Sequence, residues 1–208
     1  MSDIVSLETR NLECIRDDRV LFSQLNFSVK PHQALILEGD NGCGKTSLLR
    51  ILCGIRLPDQ GQVMWNGLSI QESISEYYQD MVYVGHLDGV KGDLSVAENL
   101  RMCTALGSRS GMSIEDALNK VSLSGYEDVR AQVLSAGQRR RVALASLLLK
   151  RCSLWILDEP FTALDRTSRG VFENIMSRHL NQGGMIILTS HHSINLTDSS
   201  VYVINLSA

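Results

Sequence analysis

"GDNGCGKTS" occupies residues 39–47, and its reading decides the fold. Gly39, Gly44, Lys45 and Thr46 satisfy the template G-x4-G-K-[ST], with Gly42 as a further glycine. The stretch follows a short apolar run, "ALILEGD" (34–40), and opens "KTSLLRILCG" (45–54), which reads as a helix closed by Gly54. A strand that runs into a glycine loop and then a helix is the setting in which this motif binds phosphate. The glycines let successive backbone N–H groups turn toward one anion, and the helix N-terminus adds a favourable dipole. Candidate phosphate contacts are therefore Gly39, Asp40, Asn41, Gly42, Cys43, Gly44, Lys45, Thr46 and Ser47, with Cys43 contributing its backbone. Lys45 would reach the β- and γ-phosphates, and the Thr46 hydroxyl would hold Mg²⁺.

Downstream, "SLWILDEP" (153–160) is a short apolar strand that ends in two carboxylates. Such a strand delivers side chains to the sheet edge where α/β proteins bind ligands. Asp158 suits a second Mg²⁺ contact, and Glu159 suits a general base that orients the attacking water. The β/α alternation continues with a helix around 167–180, then strands in "MIILTS" (185–190) and "SVYVINL" (200–206). Upstream, "IVSLETRNLEC" (4–14) and "VLFSQLNFSV" (20–29) are β-rich, the second alternating from Leu25 to Val29 like a half-buried strand. Strands are also expected in "GQVMWNG" (61–67) and "MVYVG" (81–85).

The texture changes between these halves. Ser95 followed by Glu98 is a capping-box signature for a helix in "SVAENLRMCTAL" (95–106), and "SIEDALNKV" (113–121) aligns Ile114, Ala117, Leu118 and Val121 on one helical face. The expectation is one unit over 1–208: a mostly parallel α/β core at about 1–87 and 151–208, an antiparallel β layer at its front, and a helical subdomain at about 88–150.

Composition fits an ordinary globular domain, with 44% apolar and 21% charged residues. A net charge of −3 provides no global basic field for nucleic acid or an anionic membrane surface. "RRR" (139–141), at the start of a helix, reads as a solvated face or as charge at a nucleotide interface. Cys14, Cys43, Cys53, Cys103 and Cys152 are odd in number and lack metal-ligand spacing, which suggests reduced thiols of a cytosolic protein. No signal-peptide core is visible, and the longest apolar run, "VALASLLL" (142–149), falls far short of the ~20 residues that span a bilayer. Direct membrane insertion is not expected.

"LSAGQ" (134–138) carries no titratable side chain, yet it precedes "RRRVALASLLL", "WILDEP" and "ALD" (163–165). This series resembles the ATP-binding-cassette (ABC) ATPases, and the likeness covers essentially the whole chain. It implies a P-loop NTPase of the ABC type with ATP and Mg²⁺ as ligands. In that family two cassettes pair head to tail on ATP binding, here as a homodimer. Ser135, Ala136, Gly137 and Gln138 would then grip the γ-phosphate held by the opposite subunit, Ala136 replacing a glycine of the consensus. By the same resemblance, Asp165 would reach across the dimer, and His191 in "ILTSHH" would contact the γ-phosphate as a catalytic residue, with His192 the weaker candidate. His86 stands where the family usually carries a glutamine that contacts Mg²⁺, the water and the membrane partner. An imidazole can ligate or hydrogen-bond there, and can also take up a proton near neutral pH. The family stacks adenine on an aromatic in the front β layer, and that register gives Arg16, whose guanidinium plane could stack instead.

Within the family, "YVGHLDGVKGDLSVAENL" (83–100), the alanine of "LSAGQ" and the compact helical insert are most similar to the ATPase subunits of bacterial cytochrome c maturation systems. That likeness implies a peripheral ATPase at the cytoplasmic face of the inner membrane. It would be docked on integral membrane permease subunits and would power haem export or release of a haem chaperone. The chain lacks C-x-x-C-H, which argues against direct haem binding. A cassette serving another substrate, or one acting on nucleic acid, is the alternative. A simple phosphotransferase would leave "LSAGQ" without a purpose.

Overall fold

The computed structural model of the chain describes residues 5–105, 108–190, 194–196 and 200–207. In chain order the strands and helices are β1 (Leu7–Arg16), β2 (Arg19–Val29), β3 (Gln33–Glu38), α1 (Lys45–Leu52), β4 (Gln60–Trp65), β5 (Leu68–Ser69), α2 (Ile74–Asp80), β6 (Met81–Val84), α3 (Val96–Thr104), α4 (Ile114–Lys120), α5 (Ala136–Leu149), β7 (Leu154–Leu157), α6 (Arg166–Asn181), β8 (Met185–Thr189) and β9 (Ser200–Asn205).

Two sheets form. The first, in the order β2-β1-β4-β5, is antiparallel throughout. Its first hairpin turns at Asp17 and Asp18, both at positive φ (50° and 59°), the backbone that a tight two-residue hairpin demands. Arg16 and Arg19 face each other across that turn. The second sheet, in the order β6-β7-β8-β3-β9, is entirely parallel. β7 and β8 are buried at every position, as strands covered on both faces must be, whereas β9 at the edge is largely exposed.

The period of two divides each central strand between two cores. Leu35, Leu37, Leu154, Ile156, Met185 and Ile187 join α1 and the antiparallel layer, meeting Leu7, Leu12 and Trp65. Ala34, Ile36, Trp155, Leu157, Ile186 and Leu188 face the other way onto α5 and α6. A third cluster holds Val96, Leu100, Leu118 and Leu134 from the segment after β6. α5 belongs to two clusters: Ala143, Leu144 and Leu147 pack on the sheet, while Val142, Ala145 and Leu149 pack on α3 and α4. The capping box at Ser95 and Glu98 is formed, Glu98 N donating to Ser95 Oγ (3.2 Å) and Ser95 N to Glu98 Oε2 (2.7 Å). α2 was not foreshadowed by periodicity. Its one buried side chain, Tyr77, donates from its hydroxyl to Leu52 O (2.7 Å).

The register places the site. Leu37 pairs with Thr189, Leu157 with Leu188, and Val84 with Leu157. The carboxyl ends of β3, β6, β7 and β8 therefore lie side by side, and whatever follows them meets at one edge.

Candidate functional site

At the end of β3 the chain enters the phosphate loop, with φ of +134° at Gly39, +85° at Gly42 and +111° at Gly44. Gly44 needs its hydrogen twice over: the backbone is left-handed, and a Cβ would lie 3.1 Å from Leu21 Cβ in β2. The antiparallel layer thus stands directly against the loop. Lys45 is buried and its Nζ donates to Gly39 O (2.6 Å) and Asp40 O (3.0 Å), which holds the ammonium across the loop.

Not every predicted phosphate donor is alike. Asp40 N donates to Ser207 Oγ (2.7 Å) and Cys43 N to Asp40 O (3.2 Å), so these two amides brace the loop from within. Asn41 is exposed. Ser47 is buried above the core that holds Cys14, whose thiol pKa burial pushes up. Ser47 therefore supports the loop from below.

Thr46 and Asp158, the first of the two acids after β7, come together as the sequence predicts. Thr46 Oγ1 donates to Asp158 Oδ2 at 2.9 Å. Asp158 is 2% exposed, and its other oxygen, Oδ1, accepts from Thr189 Oγ1 at 2.8 Å. The same Thr189 hydroxyl accepts from Glu159 N at 2.7 Å. Thr189 is fully buried and was not singled out in the sequence, where it reads as the last residue of an apolar strand. Only the register of β8 against its neighbours shows that it holds both acids.

Glu159 has φ of 47°, the left-handed region that a β-carbon disfavours. Its carboxylate is partly exposed: Oε2 accepts from Thr162 Oγ1 (3.2 Å) and lies 3.7 Å from His86 Nδ1. His86, half exposed in the loop after β6, is thus beside the predicted base. A neutral hydroxyl and a carboxylate oxygen within hydrogen-bonding distance are hard oxygen donors of the kind Mg²⁺ takes, so Thr46 and Asp158 fit that ion. His191 and His192 lie outside the described residues.

The signature segment forms the start of α5. Ser135 is the N-cap in a full capping box, its Oγ accepting from Gln138 N (3.2 Å) and its N donating to Gln138 Oε1 (2.8 Å). Ala136 is the first helical residue, a conformation that every L-residue adopts, so alanine in place of glycine carries no backbone strain. Gly137 is different: a Cβ there would sit 2.7 Å from Ala163 O, in the turn that leads to Asp165. Ser135 and Ala136 are exposed, and the first turn of α5 holds no acidic residue, leaving its helix dipole open to an outside anion. Asp165, also exposed, caps α6 by accepting from Ser168 N (2.7 Å), and hydrogen bonds from Ser168 hold its carboxyl below the usual range. Arg16, at the tip of the first hairpin, is well exposed and lies 3.6 Å from Asp17.

The three arginines of "RRR" correct the expectation of a solvated face. Arg139 donates to Leu134 O (2.7 Å) and lies 3.5 Å from Asp88, while Arg141 donates to Val121 O and Ser122 O. Arg140 is 4% exposed and points inward to the β7 turn. Successive residues of a helix diverge by about 100°, so three adjacent arginines must serve three different surroundings.

The parallel sheet, the antiparallel layer, the phosphate loop and the paired acids define a P-loop ATPase of the ABC type. Residues 22–162 match the ABC transporter family, and the chain belongs to it. A cytochrome c biogenesis ATP-binding export protein CcmA from Nitrosomonas europaea is 48% identical over 99% of this chain and 98% of its own. The protein of the same description from Methylococcus capsulatus is 50% identical over 94% and 95%. Among solved structures, a putative ABC transporter ATP-binding protein from Pyrococcus furiosus superposes with a TM-score of 0.82, at 26% identity over 97% of both chains. The full-length relatives place this chain in the cytochrome c biogenesis branch of the family.

Proposed function

We propose that the chain is the ATP-hydrolysing subunit of a membrane complex for c-type cytochrome biogenesis, as the names of its relatives suggest. The observation that carries the catalytic part is the convergence of Lys45, Thr46, Asp158 and Glu159 at the carboxyl edge of one parallel sheet.

The loop at 39–47 takes the phosphates of ATP, and Lys45 balances the charge that builds on the γ-phosphoryl group. Thr46 and Asp158 would hold Mg²⁺, which screens the phosphates when bound. Glu159 accepts a proton from the water that attacks the γ-phosphorus, and ADP leaves. His86, 3.7 Å away, is placed to hold the Glu159 carboxylate on the water. His191 is proposed to contact the γ-phosphate on resemblance alone.

Ser135 and the amides that open α5 act on the nucleotide of a second copy. Their support is the exposed helix N-terminus described above, whose first turn carries no acidic residue. The Ser135 hydroxyl accepts from Gln138 N and keeps its own hydrogen for an anionic oxygen. Asp165 and Arg16 keep their proposed places at the dimer face and the adenine. The whole chain acts as one ATP-binding unit, with a core at 1–87 and 151–208 and a helical subdomain at 88–150.

No helix among the described residues is long and apolar enough to cross a membrane. Membrane subunits would hold the chain peripherally at the cytoplasmic face of the inner membrane. Leu87 (84% exposed) and Val133 (70%) suit such a contact, in segments joined by Gln132 N donating to Gly92 O (3.0 Å).

The test is light scattering of the Glu159→Gln chain with ATP and Mg²⁺. Blocking hydrolysis should trap a dimer. A chain that binds ATP yet stays monomeric at every concentration would contradict the shared-site reading.

A further inference from the structure

We propose that Arg140 is a positioning residue for ATP hydrolysis, tying the signature helix to the backbone that carries Glu159 and to the loop that carries His86. Its guanidinium makes four hydrogen bonds, all to carbonyl oxygens. Nη2 donates to Asp158 O and Glu159 O (both 2.8 Å), Nε to Pro160 O (3.1 Å), and Nη1 to Gly85 O (2.7 Å). Three acceptors are consecutive residues of the β7 turn, and the fourth directly precedes His86.

A guanidinium stays charged at any physiological pH, and burying it is costly unless its donors are satisfied. Four carbonyl dipoles do that here, with Asp88, Asp158 and Glu159 as the nearby negative charges. A lysine has a single nitrogen and could not span this set. The planar fork is thus matched to a particular backbone shape.

That shape includes Glu159 at φ 47°, which a non-glycine residue holds only when its surroundings impose it. The peptide on one side of Glu159 is fixed by Thr189, through Glu159 N (2.7 Å). The peptide on the other side is fixed by Arg140, through Glu159 O. Take away either and the residue can relax toward an ordinary backbone, swinging its carboxylate off the water.

Arg140 also lies little more than one helical turn beyond Ser135 in α5. A displacement of α5, as its N-terminus engages an anion from a second copy, moves the guanidinium and the carbonyls bound to it. The signature of one subunit is in this way mechanically joined to the base of the same subunit. The proposal rests on Glu159 being the base.

The experiment compares the full-length chain with Arg140→Gln, Arg140→Lys and Glu159→Gln, reading kcat, KM, affinity for a fluorescent ATP analogue and Tm. Arg140→Gln should keep the affinity within about threefold while kcat falls at least about tenfold, since small misplacements of a reacting group carry that penalty. Arg140→Lys should recover only part of the loss. Retention of kcat within about twofold in folded Arg140→Gln overturns the proposal, as does a parallel loss of ATP affinity and kcat. Should Arg140→Gln fail to fold, the arginine side-chain NMR signals of the wild-type chain decide. Slowly exchanging Arg140 protons that shift on adding ATP to Glu159→Gln support the strut, and signals averaged as in free arginine overturn it. A Glu159→Gln chain that still turns over ATP removes the base itself. A silent Glu159→Gln beside an unimpaired Arg140→Gln sinks Arg140 alone.

Discussion

Replacing Thr189 by valine tests how the two acids are held. Valine has nearly the shape of threonine, so packing in the fully buried position is retained and only the hydroxyl is lost. Two bonds vanish together, the 2.8 Å donation to Asp158 Oδ1 and the 2.7 Å acceptance from Glu159 N. A hydrogen bond to a charged group contributes about 1.5–3 kcal/mol, and a stranded buried N–H costs about 1–3 kcal/mol. Burying a methyl in place of a hydroxyl offsets part of this, leaving a net loss of about 3 kcal/mol. In a domain of this size that lowers Tm by roughly 6–12 °C, within what a stable domain tolerates. The catalytic effect is separate: Glu159 loses the tether on its amide, and kcat should fall at least about tenfold, or about 1.4 kcal/mol in the barrier. Thr189→Ser keeps the hydroxyl and should lose only about 1 kcal/mol of stability, with kcat near wild type. Calorimetry and a coupled ATPase assay on the two variants read both effects. If Thr189→Val matches Thr189→Ser in both, the double clamp plays no part in holding the acids.

Other consequences follow from the same geometry. His179 stacks on Trp155 (3.9 Å, interplanar 6°), and burial pushes its pKa down to about 4. The fold favours the neutral ring, so this contribution is complete above the unfolded value of about 6.5 and is lost as pH falls toward 4, by about 2 kcal/mol at pH 5. His179→Phe should remove that slope, so that urea midpoints at pH 7.5 and 5.0 differ less than in wild type; parallel curves would count against the assignment. Gly137→Ala must displace the turn at Ala163 and should depress ATPase activity, whereas Ala136→Gly should leave it near wild type, since residue 136 is simply the first of α5. Lys45→Gln should weaken ATP binding at least about tenfold in a fluorescence titration, because the charge held across the loop is gone.

Much of the fold was legible because its motifs combine residue types that ordinary loops do not. The glycines and lysine of 39–47, and the two acids after "LWIL", identify themselves by chemistry and by position after strands. α3 was legible from its capping box, and α4 from the apolar face that Ile114, Ala117, Leu118 and Val121 share. What escaped was set by tertiary register. Arg140 is indistinguishable in sequence from its half-buried neighbours, and only the rotation of α5 against β7 turns it inward. Thr189 reads as a strand end until its partner strands are aligned. α5 is apolar on opposite sides because it packs between two layers, so its pattern points to no single face. β9 shows the converse: an apolar run that the topology leaves at an exposed edge. The second role of Asp40 inside the loop's own scaffold depends on Ser207, remote in the chain.

The most direct test of the account is to recover tagged Glu159→Gln chain from detergent-solubilised membranes with ATP and Mg²⁺, and to identify its partners by mass spectrometry. The account predicts multi-spanning proteins of a cytochrome c maturation system, in ATP-dependent stoichiometric complex with this chain. Recovery of a different permease would leave the ATPase standing and remove the cytochrome c assignment, and recovery of ribosomal or DNA-bound partners would contradict the transport class itself.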